Sequence, residues 1–309
     1  MSNVTASMVK DLRDKTGAGM MDCKAALADT NGDMEAAIDW LRKKGISKAA
    51  KKASRVAAEG LIGVAADTSA AALVEVNAET DFVARNDEFK SFVKNAAALA
   101  LQAEGKLEKL LAKDMGGASV EATLKTLIAK IGENMSVRRT IMMAVNPGVV
   151  GTYVHNASPD SPELGKIGVL VALKSTADTG KLATLARQLA MHVAAAAPIA
   201  LVAEHIPAET VAREKAIHAE VARQSGKPEN VIEKMLEGRM RKYYEEVVLL
   251  QQTYVLDGET KVQKVLEKAS KDLGAPVAIE GFVRFQVGEG IEKTDGDFAD
   301  EVNKLAGKD

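Results

Sequence analysis

Apolar residues recur at three- and four-residue spacing between residues 4 and 44, which predicts short amphipathic helices. Gly17-Ala18-Gly19 and Asn31-Gly32-Asp33 interrupt this pattern and divide the segment into three helices. Asp33 is placed to accept a hydrogen bond from the first turn of the third helix. The apolar faces are Val4-Met8-Val9-Leu12, then the run from Met20 to Ala28, then Met34-Ile38-Leu41. So small a bundle buries little surface, and we predict that it serves to bind a partner.

After Gly60 the apolar residues form short continuous runs bounded by polar turns, which predicts β-hairpins. The first unit comprises strands over 61–66 and 72–77 and a helix containing Phe89 and Phe92; the second comprises strands over 149–155 and 167–173 and a helix over 182–195. Two such units about 90 residues apart predict an internal repeat of α+β subdomains, each a sheet with helices on one face.

The remaining segments complete an α+β fold. Residues 120–131 have the pattern of a helix, and residues 137–145 that of a strand. Residues 278–287 alternate and should join one of the sheets. Residues 208–250 are helical and highly charged around a turn at 224–228, which predicts an antiparallel helical hairpin.

Composition is that of an ordinary globular protein, with 47% hydrophobic and 27% charged residues. A chain of 309 residues should form more than one domain, and with 4% aromatic residues its cores should be aliphatic. The formal net charge of -2 gives no overall field to attract nucleic acid or an anionic membrane, so we expect neither as a partner. The basic stretch from Arg42 to Arg55 is interpreted as the solvated face of a connecting segment.

A single cysteine, Cys23, excludes an intramolecular disulfide and a zinc site built from cysteines, as expected in a reducing compartment. The N-terminus lacks the apolar region of a signal peptide, and no apolar run approaches the ~18 residues of a membrane span. We therefore predict a cytoplasmic protein.

Motifs of catalytic and nucleotide-binding sites are missing from the sequence. No segment matches GxxxxGK[ST], the loop that holds a nucleotide phosphate, and Gly288-Glu289-Gly290 lacks the third glycine of a dinucleotide site. The histidines, at 155, 192, 205 and 218, have no HExxH spacing. We interpret His192 and Cys23 as structural residues. The sequence therefore predicts no enzyme activity, no cofactor, no metal site and no direct nucleotide binding.

A polar junction between a predicted strand and the next helix, residues 77–88, contains one large aromatic side chain, Phe82. Aromatic residues are scarce in this chain, so one in a polar segment needs a reason. In one interpretation Phe82 packs on its own core while Asp81 caps the helix. In the other, Phe82 protrudes as the anchor of a protein interface, and the Asp81 carboxylate competes at a phosphate or cation site. Local sequence leaves both interpretations open.

Met20 and Met21 form a second candidate, within the segment from Thr16 to Lys24. Successive residues of a helix point about 100° apart, so the two side chains cannot both face one small core. We expect at least one of them to be exposed. Exposed methionine suits an adaptable binding surface.

At these two segments the chain resembles the bacterial elongation factor Ts family. Thr16-Gly-Ala-Gly-Met-Met-Asp-Cys-Lys24 resembles the family's N-terminal signature, and Glu79-Thr-Asp-Phe-Val-Ala-Arg85 resembles its second. Further agreement lies at Lys130-Ile-Gly-Glu-Asn134 with Arg138-Arg139, at Met191-His-Val-Ala194, at Gln224-Ser-Gly-Lys-Pro228, at Glu237-Gly-Arg-Met240, and at Gly281-Phe-Val-Arg-Phe285 with Val287-Gly-Glu-Gly-Ile-Glu-Lys293. The resemblance spans nearly the whole chain, in order.

The fold that the resemblance implies agrees with the pattern of apolar residues. It has an N-terminal three-helix module like a ubiquitin-associated domain, a core of two related α+β subdomains and a protruding antiparallel helical hairpin. The boundaries are 1–45 for the three-helix module, 46–59 for a basic linker, 60–147 for the N-terminal core subdomain, 148–207 and 251–287 for the C-terminal core subdomain, 208–250 for the inserted hairpin, and 288–309 for a C-terminal module.

The function that the resemblance implies is guanine-nucleotide exchange during translation. Such a factor binds elongation factor Tu with GDP, promotes release of Mg²⁺ and GDP, and stays bound until GTP binds. By carry-over, the residues that displace the Mg²⁺ ion are Thr80, Asp81, Phe82 and Val83, with Phe82 wedged into the nucleotide-binding domain of the partner.

The resemblance also implies that Met20 and Met21 contact that same domain. His155 matches a family position near the phosphate side of the partner, and the loop that follows it, residues 156–163, is longer than in compact members of the family. Two alternatives stand beside exchange. One is a binding module without exchange activity. The other is an enzyme or nucleic-acid binder that uses Cys23, the histidines or the basic stretch.

Overall fold

The predicted helices and strands are present in the predicted order in the computed structural model, together with further elements that the sequence patterns did not predict, among them helices over 107–112 and 262–273. The structure describes residues 4–67, 69–224 and 228–292. The α-helices are α1 (Ala6–Thr16), α2 (Met20–Asp29), α3 (Met34–Lys52), α4 (Asp81–Ala84), α5 (Asp87–Gln102), α6 (Leu107–Ala112), α7 (Val120–Ile131), α8 (Thr179–Ala196), α9 (Ala208–Arg223), α10 (Glu229–Val247) and α11 (Val262–Leu273). The strands are β1 (Glu59–Ala66), β2 (Ala70–Ala78), β3 (Met135–Ala144), β4 (Gly148–His155), β5 (Leu164–Gly165), β6 (Ile167–Lys174) and β7 (Ala278–Gln286). The predicted α+β fold is confirmed.

The N-terminal segment forms the expected three helices. Gly17 ends α1 in the left-handed conformation, which glycine adopts without steric cost. The Asp33 carboxylate accepts a hydrogen bond of 3.0 Å from the Ala36 N–H, so the predicted N-cap of α3 is confirmed. Leu12 and Cys23 are fully buried between the helices. Burial raises the pKa of the Cys23 thiol, as expected for a structural cysteine.

Helix α3 continues past the predicted end of this module and through the first half of the predicted linker, to Lys52. Its extension is rich in alanine and lysine, which favour helix, and Gly45 is the weak position. A Cβ on Gly45 would lie 3.4 Å from the Cβ of Ala129, so α3 packs closely on α7. The Lys52 ammonium also donates a hydrogen bond to the Gly132 carbonyl at the end of α7.

Two antiparallel sheets form the core. The first has the strand order β3-β2-β1-β5, and the second has the order β4-β6-β7. Both predicted hairpins are therefore confirmed, and the final strand joins the second sheet. The sheets pack face to face through a shared apolar layer. That layer contains Ile62, Val64, Ala71, Leu73, Val145, Val150, Leu170, Ala172 and Phe285.

Each sheet is covered on its other face by the helix that follows its hairpin. Helix α5 lies on β1 and β2, and α8 lies on β4 and β6. Both contacts depend on a glycine in the first strand of the hairpin. A Cβ on Gly63 would lie 3.1 Å from the Ala97 Cβ of α5, and a Cβ on Gly151 would collide with Ala186 of α8. The same close approach in both units supports the repeat predicted from the sequence.

The helical hairpin consists of α9 and α10, whose buried residues are Ala222, Ile232 and Met240. Part of its predicted turn, residues 225–227, and most of the predicted C-terminal module, residues 293–309, lie outside the described residues. Within the residues that the structure describes, no helix is both long and apolar enough to cross a membrane.

A buried carboxylate on β2 ties the two sheets together. Glu75 is fully buried and accepts hydrogen bonds from Arg138 at 3.1 Å, Arg139 at 2.5 Å and the Gly288 N–H at 2.8 Å. The register of β2 and β3 shifts after the Glu75–Arg139 pair, which leaves Arg138 as an extra residue of a bulge. Successive strand residues normally point to opposite faces, so the bulge lets both guanidinium groups reach one carboxylate.

Loss of the Glu75 carboxylate should destabilise the fold. Burial alone raises the pKa of Glu75, but the hydrogen bonds from Gly288, Arg139 and Asn77 outweigh it and lower the pKa below 4.5. We expect Glu75→Ala to lower the free energy of unfolding at pH 7 by about 2–4 kcal/mol, measured by urea denaturation. The two arginines remain partly exposed, which limits the loss.

The effect of pH follows from the sign of that shift. A carboxyl group with a lowered pKa stabilises the fold above its unfolded-state pKa, and this contribution is lost as pH falls through the folded-state pKa. The difference in the free energy of unfolding between wild type and Glu75→Ala should therefore become smaller as the pH falls. The control is Glu267→Ala, which removes an exposed ion pair with Lys264. It should have the same free energy of unfolding as wild type in urea. An equal effect of both variants would contradict the role of Glu75.

Candidate binding surface

Phe82 lies on the short helix α4, directly after the buried strand β2. Its side chain is 75% exposed, whereas its neighbours Val83 and Ala84 are buried against the first sheet. The interpretation in which Phe82 packs on its own core is therefore wrong, and the interpretation in which it protrudes has the correct geometry. The backbone of this segment is anchored by the buried neighbours, so the aromatic ring is presented from a fixed base.

Asp81 is the first residue of α4, and Thr80 is its N-cap. In one of the two interpretations of the sequence Asp81 caps the helix; its carboxylate instead accepts a hydrogen bond of 2.9 Å from the Arg85 guanidinium, one turn further on. Both side chains face solvent. An exposed ion pair of this kind contributes little to stability, so the Asp81 carboxylate is free to exchange Arg85 for another cation.

The backbone beneath Phe82 is held by the turn after α7. The Glu133 carboxylate accepts two hydrogen bonds from Thr80, one of 3.0 Å from its N–H and one of 2.7 Å from its hydroxyl. The Glu79 carboxylate accepts one of 2.5 Å from the Asn134 N–H. Arg55 pairs with the other oxygen of Glu79 at 3.5 Å. Residues 79 and 80 are thus fixed on both sides.

Met20 and Met21 begin α2, after the N-cap Gly19. Both side chains are exposed, by 54% and 75% respectively. The sequence predicted that at least one would be exposed, which is confirmed. The core of the module takes Cys23 and Leu27 from the same helix. Met21 points away from these two residues, whereas Met20 lies on their side of the helix, in its exposed first turn.

Lys130, near the end of α7, connects the two candidate segments. Its ammonium group lies 2.6 Å from the Glu88 carboxylate at the start of α5, just beyond the Phe82 segment. Its side chain also packs on Gly17, where an added Cβ would lie 3.0 Å from the ammonium nitrogen. The turn that precedes Met20 and the helix that follows Phe82 therefore meet at one lysine.

His155 is the last residue of β4 and is exposed. Its Nδ1 lies 3.2 Å from the Tyr153 hydroxyl, and its carbonyl accepts a hydrogen bond of 3.1 Å from the Lys166 N–H. The end of the long loop that follows is tied to the first sheet and to the helix that covers it. Leu164 pairs with β1 as part of β5, and Glu163 pairs with Lys94 of α5 at 2.6 Å. His155 thus belongs to the second sheet, whereas Phe82 follows the first.

Two other groups singled out in the sequence, His192 and Gly288, form hydrogen bonds within the fold. His192 is fully buried, with Nε2 2.9 Å from the Gln252 side-chain oxygen and Nδ1 accepting from the Val255 N–H. Burial lowers the pKa of His192, although the Gln252 contact opposes this, so the ring is neutral at pH 7. The Gly288 N–H is used by Glu75. No group of three or more His, Cys, Asp or Glu suited to a metal ion is found in the described part of the chain.

Comparison with known proteins identifies the family. The family model described as Elongation factor TS matches residues 79–289, which include the Phe82 segment, Glu133 and His155. The chain belongs to the elongation factor Ts family. It is accordingly a translation elongation factor.

Relatives in this family match the chain over nearly its full length. The elongation factor Ts of Rhodospirillum rubrum is 59% identical over 305 residues, which cover 98% of each chain. That of Rhodospirillum centenum is 56% identical over 99% of this chain and 100% of its own. That of Maricaulis maris is 54% identical over 100% of both chains. The resemblance inferred from short motifs is confirmed.

Glu133 and Lys130 were not among the site residues predicted for this elongation factor Ts family member. Both lie in the segment Lys130-Ile-Gly-Glu-Asn134, which carried part of the resemblance, but no local pattern shows that it touches Thr80 or Gly17. A contact between residues more than fifty positions apart requires the fold.

Exposure of Phe82 predicts that its loss leaves the fold intact. We expect Phe82→Ala to change the free energy of unfolding by less than about 0.5 kcal/mol, as for most surface substitutions. Phe89, in the first turn of the next helix, α5, is fully buried and is the matched control. Phe89→Ala should cost about 3–5 kcal/mol, measured in the same urea titration. Equal losses for the two variants would show that Phe82 is part of the core.

Proposed function

We propose that this chain is the guanine-nucleotide exchange factor of elongation factor Tu. Membership of the elongation factor Ts family supports this. The observation that carries it is the 75% exposure of Phe82 on a segment whose backbone is fixed by Glu133 and by its buried neighbours. A large aromatic side chain held in solvent contributes nothing to its own fold and fits a pocket in a partner.

The Thr80–Val83 segment acts on the nucleotide site of elongation factor Tu. Phe82 enters the nucleotide-binding domain as a wedge, and the adjacent Asp81 carboxylate changes the field around the bound Mg²⁺. Met20 and Met21 contact the same domain and hold the module against it, since methionine adapts to irregular surfaces. His155, from the second sheet, approaches the phosphate side of the site.

Exchange by this mechanism is a matter of linkage and requires no catalytic residue. The factor binds nucleotide-free elongation factor Tu more tightly than the GDP complex, so it weakens GDP and Mg²⁺ binding by the same coupling free energy. GTP binding then ejects the factor. A tenfold weakening of GDP binding corresponds to about 1.4 kcal/mol of coupling. The chain therefore acts as a binding protein and not as an enzyme, and it binds no nucleotide directly.

Release of labelled GDP from elongation factor Tu tests this proposal. Purified chain should accelerate release in a saturable manner, because it stabilises the nucleotide-free partner. Phe82→Ala should slow the maximal release rate by roughly tenfold to a hundredfold, the range of an interface hot spot of about 1.4–2.8 kcal/mol.

The matched control for this experiment is Leu256→Ala, which removes an exposed apolar side chain from the second subdomain and should release GDP like wild type. Complex formation without faster GDP release would instead identify a binding module that lacks exchange activity. Normal exchange by a folded Phe82→Ala variant would show that the wedge is elsewhere.

A further inference from the structure

The N-cap of α4 departs from the usual arrangement. A threonine at this position normally turns its hydroxyl toward the N–H groups of the first helical turn and accepts a hydrogen bond from one of them. The Thr80 side chain makes no such bond. Its hydroxyl donates instead to the Glu133 carboxylate at 2.7 Å, and its N–H donates to the other oxygen of the same carboxylate at 3.0 Å. One carboxylate therefore fixes both the backbone and the side chain of Thr80.

The turn that supplies Glu133 is itself firmly held. Gly132 ends α7 in the left-handed conformation, which turns the chain toward β3. Its carbonyl accepts from Lys52 of α3, and the next residue but one, Asn134, donates from its side chain to the Arg55 carbonyl at 2.7 Å. The Asn134 N–H in turn donates a hydrogen bond of 2.5 Å to the Glu79 carboxylate. Each of the two segments, 79–80 and 133–134, thus supplies a carboxylate that accepts hydrogen bonds from the other.

Without Glu133, the start of α4 would be held only by Glu79 before it and by the buried side chains of Val83 and Ala84 after it. This helix has four residues, and its N-cap bond is missing. Phe82 has no core contacts to hold it, because it is 75% exposed. The position of the ring therefore depends on the backbone at Thr80 on one side and at Val83 on the other. A backbone loosened at Thr80 must be ordered again when the partner binds.

We infer that Glu133 is a positioning residue for exchange, which orients the Phe82 wedge by holding Thr80. The inference rests on the proposed exchange function. Glu133 does not reach the partner in this account; it acts through Thr80 alone. Its loss should leave the other contacts, at Met20 and Met21, unchanged.

Two measurements on the full chain test this role. The first is amide hydrogen exchange at Thr80 in the chain without any partner, and the second is the rate of GDP release from elongation factor Tu as a function of chain concentration. The variants are Glu133→Ala and Glu133→Gln, with Glu121→Ala as the control. Glu121 lies in the first turn of α7, the helix that precedes Glu133, and pairs with Lys125 at 2.6 Å on the exposed face.

Glu133→Ala should expose the Thr80 amide and speed its hydrogen exchange at least about tenfold, because the N–H loses its acceptor. The maximal rate of GDP release should fall by about tenfold, while the half-saturating concentration changes less than about threefold, since the wedge is misplaced but the rest of the surface is intact. Glu133→Gln keeps a carbonyl acceptor and should recover most of the maximal rate. Glu121→Ala should match wild type in both measurements.

An unchanged rate of hydrogen exchange at the Thr80 amide in Glu133→Ala overturns the inference. A normal maximal rate of GDP release, despite faster hydrogen exchange at that amide, also overturns it. If wild type itself fails to accelerate GDP release, the proposed function is wrong, whereas the amide measurement still decides whether Glu133 holds Thr80. If Glu133→Ala does not fold, the variant Thr80→Val tests the inference in its place, since it removes only the hydroxyl that donates to Glu133. It should lower the maximal rate with the half-saturating concentration unchanged, and a normal rate would overturn the inference.

Discussion

The buried carboxylate of Glu75 is the interaction on which the arrangement of the core depends. It lies in the middle of β2, every residue of which is buried, and binds groups from β3 and from the chain just after β7. A buried charge is tolerated only when its hydrogen bonds are satisfied, so the carboxylate requires both sheets to be in place. Arg139 adds to this by stacking on Phe285, 4.1 Å from the ring centroid. The first and second sheets are thereby fixed relative to one another.

The candidate binding surface is connected directly to this fixed core. Strand β2 runs from the Glu75 cluster directly into Thr80 and α4, and Glu133 holds the junction from the other side. Phe82 is therefore exposed on a backbone that is held on both sides. Binding then requires little ordering, and more of the contact free energy is available to displace a ligand from the partner. An exposed aromatic side chain on a fixed backbone suits a protein that acts by binding one state of its partner more tightly than another.

Much of the fold could be predicted from the sequence, because local patterns specify it. The bounds predicted for α7 agree with the structure, and the Asp33 cap and both hairpins follow from short-range rules. The exposure of at least one of Met20 and Met21 followed from helix geometry alone. The exposure of Phe82 did not, since a strand-to-helix junction allows either packing. The bulge at Arg138 and the strand pairing of Leu164 were also beyond the sequence, because they arise from contacts between distant segments.

The most direct measurement of the central claim places a photo-crosslinking phenylalanine analogue at position 82 and exposes the chain to elongation factor Tu. The account predicts a crosslink to the nucleotide-binding domain of the nucleotide-free partner, and loss of that crosslink when GTP and Mg²⁺ are added. Peptide mapping by mass spectrometry would identify the domain. A folded chain that forms the complex without crosslinking from position 82, or with a crosslink that GTP does not diminish, would contradict the account.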